Sequence, residues 1–362
     1  MSVTPFGNDS AKIEGYRAFW ERRKTPRPLV GFSCKSWFPI CEFAASSAWQ
    51  PSTLLEPAMV DPKAFLDDQD RLLREGESIG DDILRGVSPS QGIPWLCGTM
   101  GGRLRVLPGS VLALDRNLPW GDLDDVRLDT ESPWFRKYME FLEVLIDWAN
   151  GRLPVSHGSL IGPCDVAALL RGHSQSILDL IEEPERSRQL LRMCGDVFRD
   201  MTEAAWQVIS QYHGGWFDAQ YQLWAPGPIA RLQEDASALY SPALYREFLQ
   251  PVDRSIARHF SSCFMHLHPT SMFLLDAFLE IEELRCFQIN REVSGPSLPD
   301  MVAYYQQVQA AQRSLVIRGS FTPDEIRLLM DHLDPAGLYL YIMVESLDEA
   351  ETLKPLLGMN GS

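Results

Sequence analysis

Short apolar runs rich in β-branched and aromatic residues alternate along this chain with longer amphipathic stretches, the pattern of repeated βα units. Eight runs read as strands: Leu29 to Phe32, Ile79 to Leu84, Pro154 to Ser159, Trp216 to Tyr221, Cys263 to Leu267, Cys286 to Ile289, Leu315 to Arg318 and Leu338 to Val344. Between them, Pro62 to Glu75 follows Asp61 with proline in the first turn, and Glu185 to Tyr212 carries apolar residues at helical spacing. Ser241-Pro242 opens a segment that runs to His259, Pro299 to Ala311 is amphipathic, and Thr322-Pro323 opens Asp324 to His332 with acids in its first turn. In the C-terminal half the strands recur at intervals of roughly 25 residues, the spacing of a parallel sheet closed into a barrel. The pattern therefore predicts an α/β protein, a single (β/α)8 TIM barrel over residues 1–362, with its site at the carboxyl ends of the strands.

Composition narrows the class. Hydrophobic residues make up 45% and charged residues 23%, enough apolar material for a folded core rather than a disordered chain. The net charge of -16 repels phosphates and anionic lipid heads, so neither nucleic acid nor a membrane is an expected partner. The densest basic group, Arg22, Arg23, Lys24 and Arg27, is short and reads as a solvated helix end. Seven cysteines form no CxxC pair and are odd in number, which fits reduced thiols in the cytoplasm. The first residues carry no apolar leader, and no stretch reaches the length of a membrane span. Neither GxxxxGK[ST] nor a post-strand GxGxxG occurs, which removes the common nucleotide-binding loops.

The sharpest chemical feature is CFMHLHPTS, in which a strand ends on His266 and His268. Period-two geometry puts both imidazoles on one face, able to converge on one ion or substrate group or to serve as structural hydrogen-bonding partners. Glu345 ends the last strand on the same rim. Two imidazoles and one carboxylate suit a zinc site with one open position, while the alternative role of Glu345 is a cap for the helix that starts near Ser346. Other polar groups at strand ends are Asp81 and Asp82, Asp218 and Gln220, Asn290 and Arg291, and Arg318. A carboxylate there serves as general acid or base, and Arg291 or Arg318 as a clamp for a substrate carboxylate. The irregular stretch Gly86 to Gly109 reads as a long excursion on the rim, and Trp95, Trp224 and Phe321 are expected to line the pocket.

Several segments carry a resemblance: SIGDDILRG (78–86), GPCDVAALLRG (162–172), EDASALYSPALYREFLQP (234–251) and HLHPTSMFLLDAFLEIEELRCFQIN (266–290). Together they resemble the uroporphyrinogen decarboxylase superfamily, which includes zinc-dependent methyltransferases that take methyl groups from corrinoid proteins. The resemblance implies a TIM barrel, a homodimer, and an essential aspartate that matches Asp81 or Asp82. Departures are specific. Where the decarboxylase has two arginines after its first strand, this chain reads LVGFSCKSWFPI with only Lys35, which argues against porphyrinogen turnover. Where the methyltransferases have His-x-Cys and a last-strand Cys, this chain has His266-x-His268 and Glu345, harder ligands that leave a bound zinc more Lewis acidic. Three readings follow. The first is a metal-dependent methyl transfer with zinc on His266, His268 and Glu345 and a corrinoid supplied by a partner or free, since no DxHxxG motif is present. The second is a metal-independent decarboxylase or lyase acting on a small carboxylated substrate, with Asp82 stabilising a developing cation and an arginine gripping a carboxylate; for the site as a whole, Asp82, His268 and Arg318 are the expected catalytic residues and Asn290 and Arg291 join the three aromatic residues in binding substrate. The third is a non-catalytic ligand-binding barrel.

Overall fold

The computed structural model describes residues 9–34, 39–89, 92–292 and 294–359, so Lys35 lies outside the described residues. Its centre is a six-stranded, wholly parallel sheet in the order Leu29–Cys34, Leu338–Val344, Ser314–Gly319, Cys286–Asn290, Ser262–Leu267, Ile229–Gln233. The first strand pairs with the last, Leu29 opposite Tyr339 and Cys34 opposite Val344. The other five are joined in sequence through helices that include Gln250–His259, Leu275–Leu279, Leu298–Ala310 and Pro323–His332. Strands buried on both faces read as near-continuous apolar runs, and Ser262–Leu267 and Ser314–Gly319 are buried at every position.

Alternate residues of these strands feed two separate cores. Leu232, Met265, Phe287, Ile317 and Leu340 pack toward the helices. On the other face Ile229, Phe264, Cys286, Val316, Tyr339 and Tyr341 pack with Ile13, Tyr16 and Phe19 of the first helix, Asp9–Trp20. The second set fixes which face carries the polar residues of interest, because Arg231, His266, Gln288, Asn290 and Arg318 lie two or four residues along the same strands. Two cores, one on each side of a parallel sheet, are compatible with a barrel.

Continuous pairing nevertheless stops at six strands, and three of the expected strands differ. Ile79 to Leu84 is irregular: Gly80 has a φ of 68°, and carboxylates replace carbonyls as acceptors, Asp81 for the Phe32 amide at 2.7 Å and Asp82 for the Val30 amide at 3.0 Å. Pro154 to Ser159 reduces to one bridge between Val87 and Val155, since Pro154 has no N–H to donate. Trp216 to Tyr221 yields a short antiparallel hairpin, Trp216–Asp218 with Leu223–Ala225, turned through Gln222 at a φ of 49°. The parallel strand at that point of the sheet is Ile229–Gln233, hidden in the sequence by the preceding Pro226, Gly227 and Pro228 and by a central Arg231. Between Ile229–Gln233 and Leu29–Cys34 run isolated bonds: Asp82 N–H to the Val30 carbonyl at 3.0 Å, the Val87–Val155 bridge, and Gly162 N–H to the Gln233 carbonyl at 2.8 Å.

The helices follow their sequence signals more closely. Asp61 accepts from the Lys63 amide ahead of Leu66–Ser78, and Thr322 and Glu325 form a reciprocal capping box at Pro323–His332. The segment after Ser241 contains a π-turn, Tyr245–Leu249, before Pro251, whose missing N–H leaves the preceding turn without its usual donor. Gly86 to Gly109 forms a short helix, Trp95–Thr99, and the strand Arg103–Leu107, which pairs with Leu54–Leu55 and Ser110–Leu114. Among the described residues no helix is long and apolar enough to cross a membrane, and no cysteine is in a disulfide.

Candidate functional site

At the carboxyl ends of Ile229–Gln233, Ser262–Leu267 and Cys286–Asn290 lies a cavity of about 340 Å³. Its wall includes Gln220, Tyr221, Arg231, Asp235, His266, His268 and Asn290, with Gly92, Ile93 and Pro94 of the rim excursion on one side. Register explains the grouping. His266 is paired with Gln233 on one side and Gln288 on the other, so the three side chains share one row of the same face.

His266 is buried, and its Nδ1 bonds the Gln288 side-chain oxygen and the Tyr221 hydroxyl at 2.8 Å. The Gln288 amide is oriented independently, because its Nε2 donates to Asn290 Oδ1 at 3.0 Å. An oxygen acceptor at Nδ1 places the His266 proton there. His268 repeats the arrangement, its Nδ1 on the Glu292 carboxylate. Each ring is thus left with its lone pair on Nε2, and the two Nε2 atoms face each other at 3.1 Å. Opposed lone pairs at that distance require a cation between or beside them, a proton or a metal. Burial, then the charges of Arg231 and His268, push the His266 pKa well below the ordinary 6.5, so its lone pair is available at neutral pH. Two nitrogens on a tetrahedral zinc, each at about 2.0–2.1 Å, lie about 3.3 Å apart, close to the observed separation.

A carboxylate completes the cluster. Asp235 Oδ1 is 3.7 Å from His268 Nε2, and one ligand atom from each of Asp235, His266 and His268 falls within 4.8 Å of the others. Asp165 positions this loop by accepting from the Asp235 amide at 3.1 Å and the Ala236 amide at 2.8 Å. The neighbouring Glu234 turns inward and accepts from the Cys164 amide at 2.9 Å. Glycine is required opposite: a Cβ at Gly162 would stand 2.1 Å from the Gln233 carbonyl oxygen and 2.3 Å from Glu234 Oε1. Cys164, Asp165 and Glu234 also gather within 4.8 Å. Burial raises all three pKa values, Asp165 to about 8 with help from Asp235, and through the backbone amides that Asp165 and Glu234 accept from, this group clasps the loop.

The remaining expected site residues are placed elsewhere. Glu345 is exposed and its amide donates to the Glu349 carboxylate at 2.7 Å, part of the cap at the start of Leu347–Leu353, so its position in the cluster is taken by Asp235. Asp82 is held by the Arg27 guanidinium, 2.8 Å from Oδ1, in a recess lined by Leu29 and Leu338 at the opposite ends of the strands. Trp95 is buried among Trp134, Tyr138 and Phe141. Trp224 belongs to the core around the first helix, its Nε1 donating to the Tyr212 carbonyl at 2.7 Å, and Phe321 packs into the helix-side core. Arg291 is paired with Glu325 at 2.8 Å. Arg318 lines a neighbouring recess with Arg85, Gln220 and Tyr341, its guanidinium 5.8 Å from the centre of the Tyr221 ring. Of the expected residues, Gln220, His266, His268 and Asn290 line this cavity together. Arg231, Asp235, Gln288 and Glu292 escaped notice: the first two because their strand went unrecognised, although Asp235 lies in one of the quoted segments, the last two although they lie at period two around Asn290.

Strands and site together define a parallel α/β array with a polar cavity at the strands' carboxyl ends. A methyltransferase from Methanosarcina mazei superimposes on it with a TM-score of 0.66 over 96% of this chain and 98% of that one, at 13% identity. At that identity the likeness is one of fold. A structure from Silicibacter pomeroyi DSS-3, described as a candidate glycerophosphoryl diester phosphodiesterase, aligns at a TM-score of only 0.37 and 8% identity, and nothing is argued from it. No family model matches the chain, and no curated protein matches it.

Proposed function

We propose that this chain is a metal-dependent enzyme of methyl (one-carbon) transfer, with His266, His268 and Asp235 holding zinc in the cavity. The observation that carries the reading is the pair of Nε2 atoms 3.1 Å apart, each on a ring whose Nδ1 is already bonded to an oxygen. Bonding at the outer nitrogen is how metal-ligating histidines are oriented. The shared fold with a methyltransferase supports the reaction type at a coarse level. When bound, zinc supplies Lewis acidity to an acceptor atom in the open position left by three protein ligands. The chain's own contribution is orientation: Tyr221 and Gln288 fix the His266 ring, Glu292 fixes His268, and Asp165 fixes the loop of Asp235. Under this reading the methyl donor is a corrinoid brought by a partner protein or free, and the chain works as a homodimer. The metal-independent lyase reading loses support because Asp82 is tied to Arg27 away from the cavity.

Metal analysis of the purified chain tests the proposal. Wild-type protein is expected to bind one zinc per chain, and His266→Ala and His268→Ala to lose it while keeping their circular dichroism. A chain that takes up no zinc on titration would refute the proposal.

A further inference from the structure

The small antiparallel sheet that includes the rim excursion has one open edge. Leu54–Leu55, Arg103–Leu107 and Ser110–Leu114 pair in that order, so the first and third are its outer strands. The middle strand fixes which backbone groups point where. The Val106 amide donates to the Thr53 carbonyl at 2.9 Å, and the Val106 carbonyl accepts from the Ser52 amide at 2.8 Å, so this residue faces the first strand. The N–H and C=O of one strand residue point to the same side, and those of its neighbours to the other. Arg105 and Leu107 therefore turn to the third strand, where Leu112 and Ser110 are paired with them. Val111 and Ala113 point their amides and carbonyls outward, and among the described residues nothing bonds them.

The sequence treats the two edges differently. Leu54–Leu55 is short and bounded by Pro51 and Pro57, and short length and proline both keep other strands off an edge. Ser110–Leu114 reads SVLAL, with no proline and no charge. Leu112 is 49% exposed and ends a row of exposed side chains, Leu54, Arg105 and Leu112, that crosses the outer face of the sheet. Val111 and Ala113 pack their side chains on the core beneath. An edge that carries none of the usual protections is a template for another strand.

We propose that Ser110–Leu114 is the contact strand of a homodimer and pairs with the same strand of a second copy of this chain. A twofold axis at Leu112 sets the two strands antiparallel, the pairing already used in this sheet, and brings Val111 opposite Ala113 of the partner subunit. Each such pair exchanges both of its hydrogen bonds, which satisfies every outward amide and carbonyl of Val111 and Ala113. Leu112 meets its own counterpart at the axis, with the aliphatic stem of Arg105 beside it in each copy. Charge favours the same occupant. Each chain carries -16, yet Val106 to Leu114 holds no charged residue, so two copies meet here without like charges in contact. The proline-bounded edge on the far side of the sheet stops growth at two copies. This gives the homodimer of the preceding reading its surface and is independent of the metal. A strand pair of this length buries less than about 1,200 Å², the size of weak interfaces, so dissociation in the micromolar range is expected.

Sedimentation velocity of the whole chain from about 1 to about 200 μM tests the proposal. Wild-type protein is expected to pass from monomer to dimer over that range. Leu112→Lys places like charges opposite each other at the axis, and Ala113→Pro removes an outward N–H that the chain itself does not use. Each is expected to weaken the dimer at least roughly tenfold, with melting temperature and zinc uptake unchanged. Leu112→Lys alters an exposed side chain and keeps the test valid if the proline variant does not fold. Register is checked by oxidation in a Cys41→Ser background, which removes the exposed native thiol. Leu112→Cys should cross-link two chains, since facing residues outside the bonded pairs stand about 4.5 Å apart at Cα, and Leu54→Cys on the other edge should not. A wild-type dimer that both variants leave intact overturns this surface while the homodimer stands. A wild-type monomer at every concentration overturns the surface and the homodimer together, and leaves the metal reading to its own test.

Discussion

Glu292→Gln and Glu292→Ala probe the metal reading at a residue that touches no metal. Glu292 accepts from His268 Nδ1 and thereby holds the ring with Nε2 toward His266. Loss of such an outer partner typically weakens metal affinity 10- to 100-fold. Here both side chains are about a third exposed, at 32% and 30%, so solvent screens part of the charge and the lower end applies to glutamine, which keeps an acceptor oxygen. About tenfold is expected for glutamine, or about 1.4 kcal/mol, and about 30- to 100-fold for alanine, which also frees the ring to change tautomer. Zinc affinity is measured by competition with a chromophoric chelator at pH 7.5, with melting temperature as the check on folding. A Glu292→Ala chain that binds zinc within twofold of wild type, while His268→Ala binds none, would show that ring orientation does not depend on this carboxylate.

Two further predictions concern stability. Burial pushes the Asp253 carboxyl from 3.8 up to about 7, with Tyr245 donating to its Oδ2 at 2.6 Å. The folded state therefore holds the proton over pH 4 to 7 where the unfolded chain releases it, and stability is lost as pH rises through that window. Asp253→Asn should melt increasingly above wild type from pH 4 to 7, by a few degrees at most for a chain of this size, and level off beyond; a difference that stays flat refutes the shift. Trp95→Ala should cost about 3–5 kcal/mol by emptying the contacts with Trp134 and Phe141, seen as a lower melting temperature with zinc uptake unchanged. The opposite result would return Trp95 to the cavity wall.

Elements that depend on local chemistry were legible from the chain. Proline and a capping residue marked Pro323–His332 and the start of Leu66–Ser78, and continuous apolar runs marked the strands at Leu29, Ser262, Cys286, Ser314 and Leu338. Ile79 to Leu84 has the apolar residues of a strand, but its two aspartates bond the neighbouring backbone through their side chains, an exchange that composition does not reveal. Trp216 to Tyr221 reads as a strand because it is rich in aromatic residues; the sheet instead takes IARLQ, whose arginine lines a polar cavity.

The site divides along the same line. Spacing alone put His266 and His268 on one face, because strand periodicity is a property of the backbone. What joined them was decided by register and by loop placement. Glu345 is the carboxylate that the sequence offers at a strand end, whereas Asp235 follows a strand, Ile229–Gln233, that the sequence did not mark. The clasp of Asp165, Glu234 and Gly162 brings Asp235 to His268, and a helix cap keeps Glu345 away. Gln288 meets His266 because their strands pair in that register, and Arg231 and Asn290 line the same cavity from the strands on either side of the one that carries His266. Periodicity determines which residues can share a face; which of them meet depends on contacts between segments far apart in the chain, and those are set by packing of the whole.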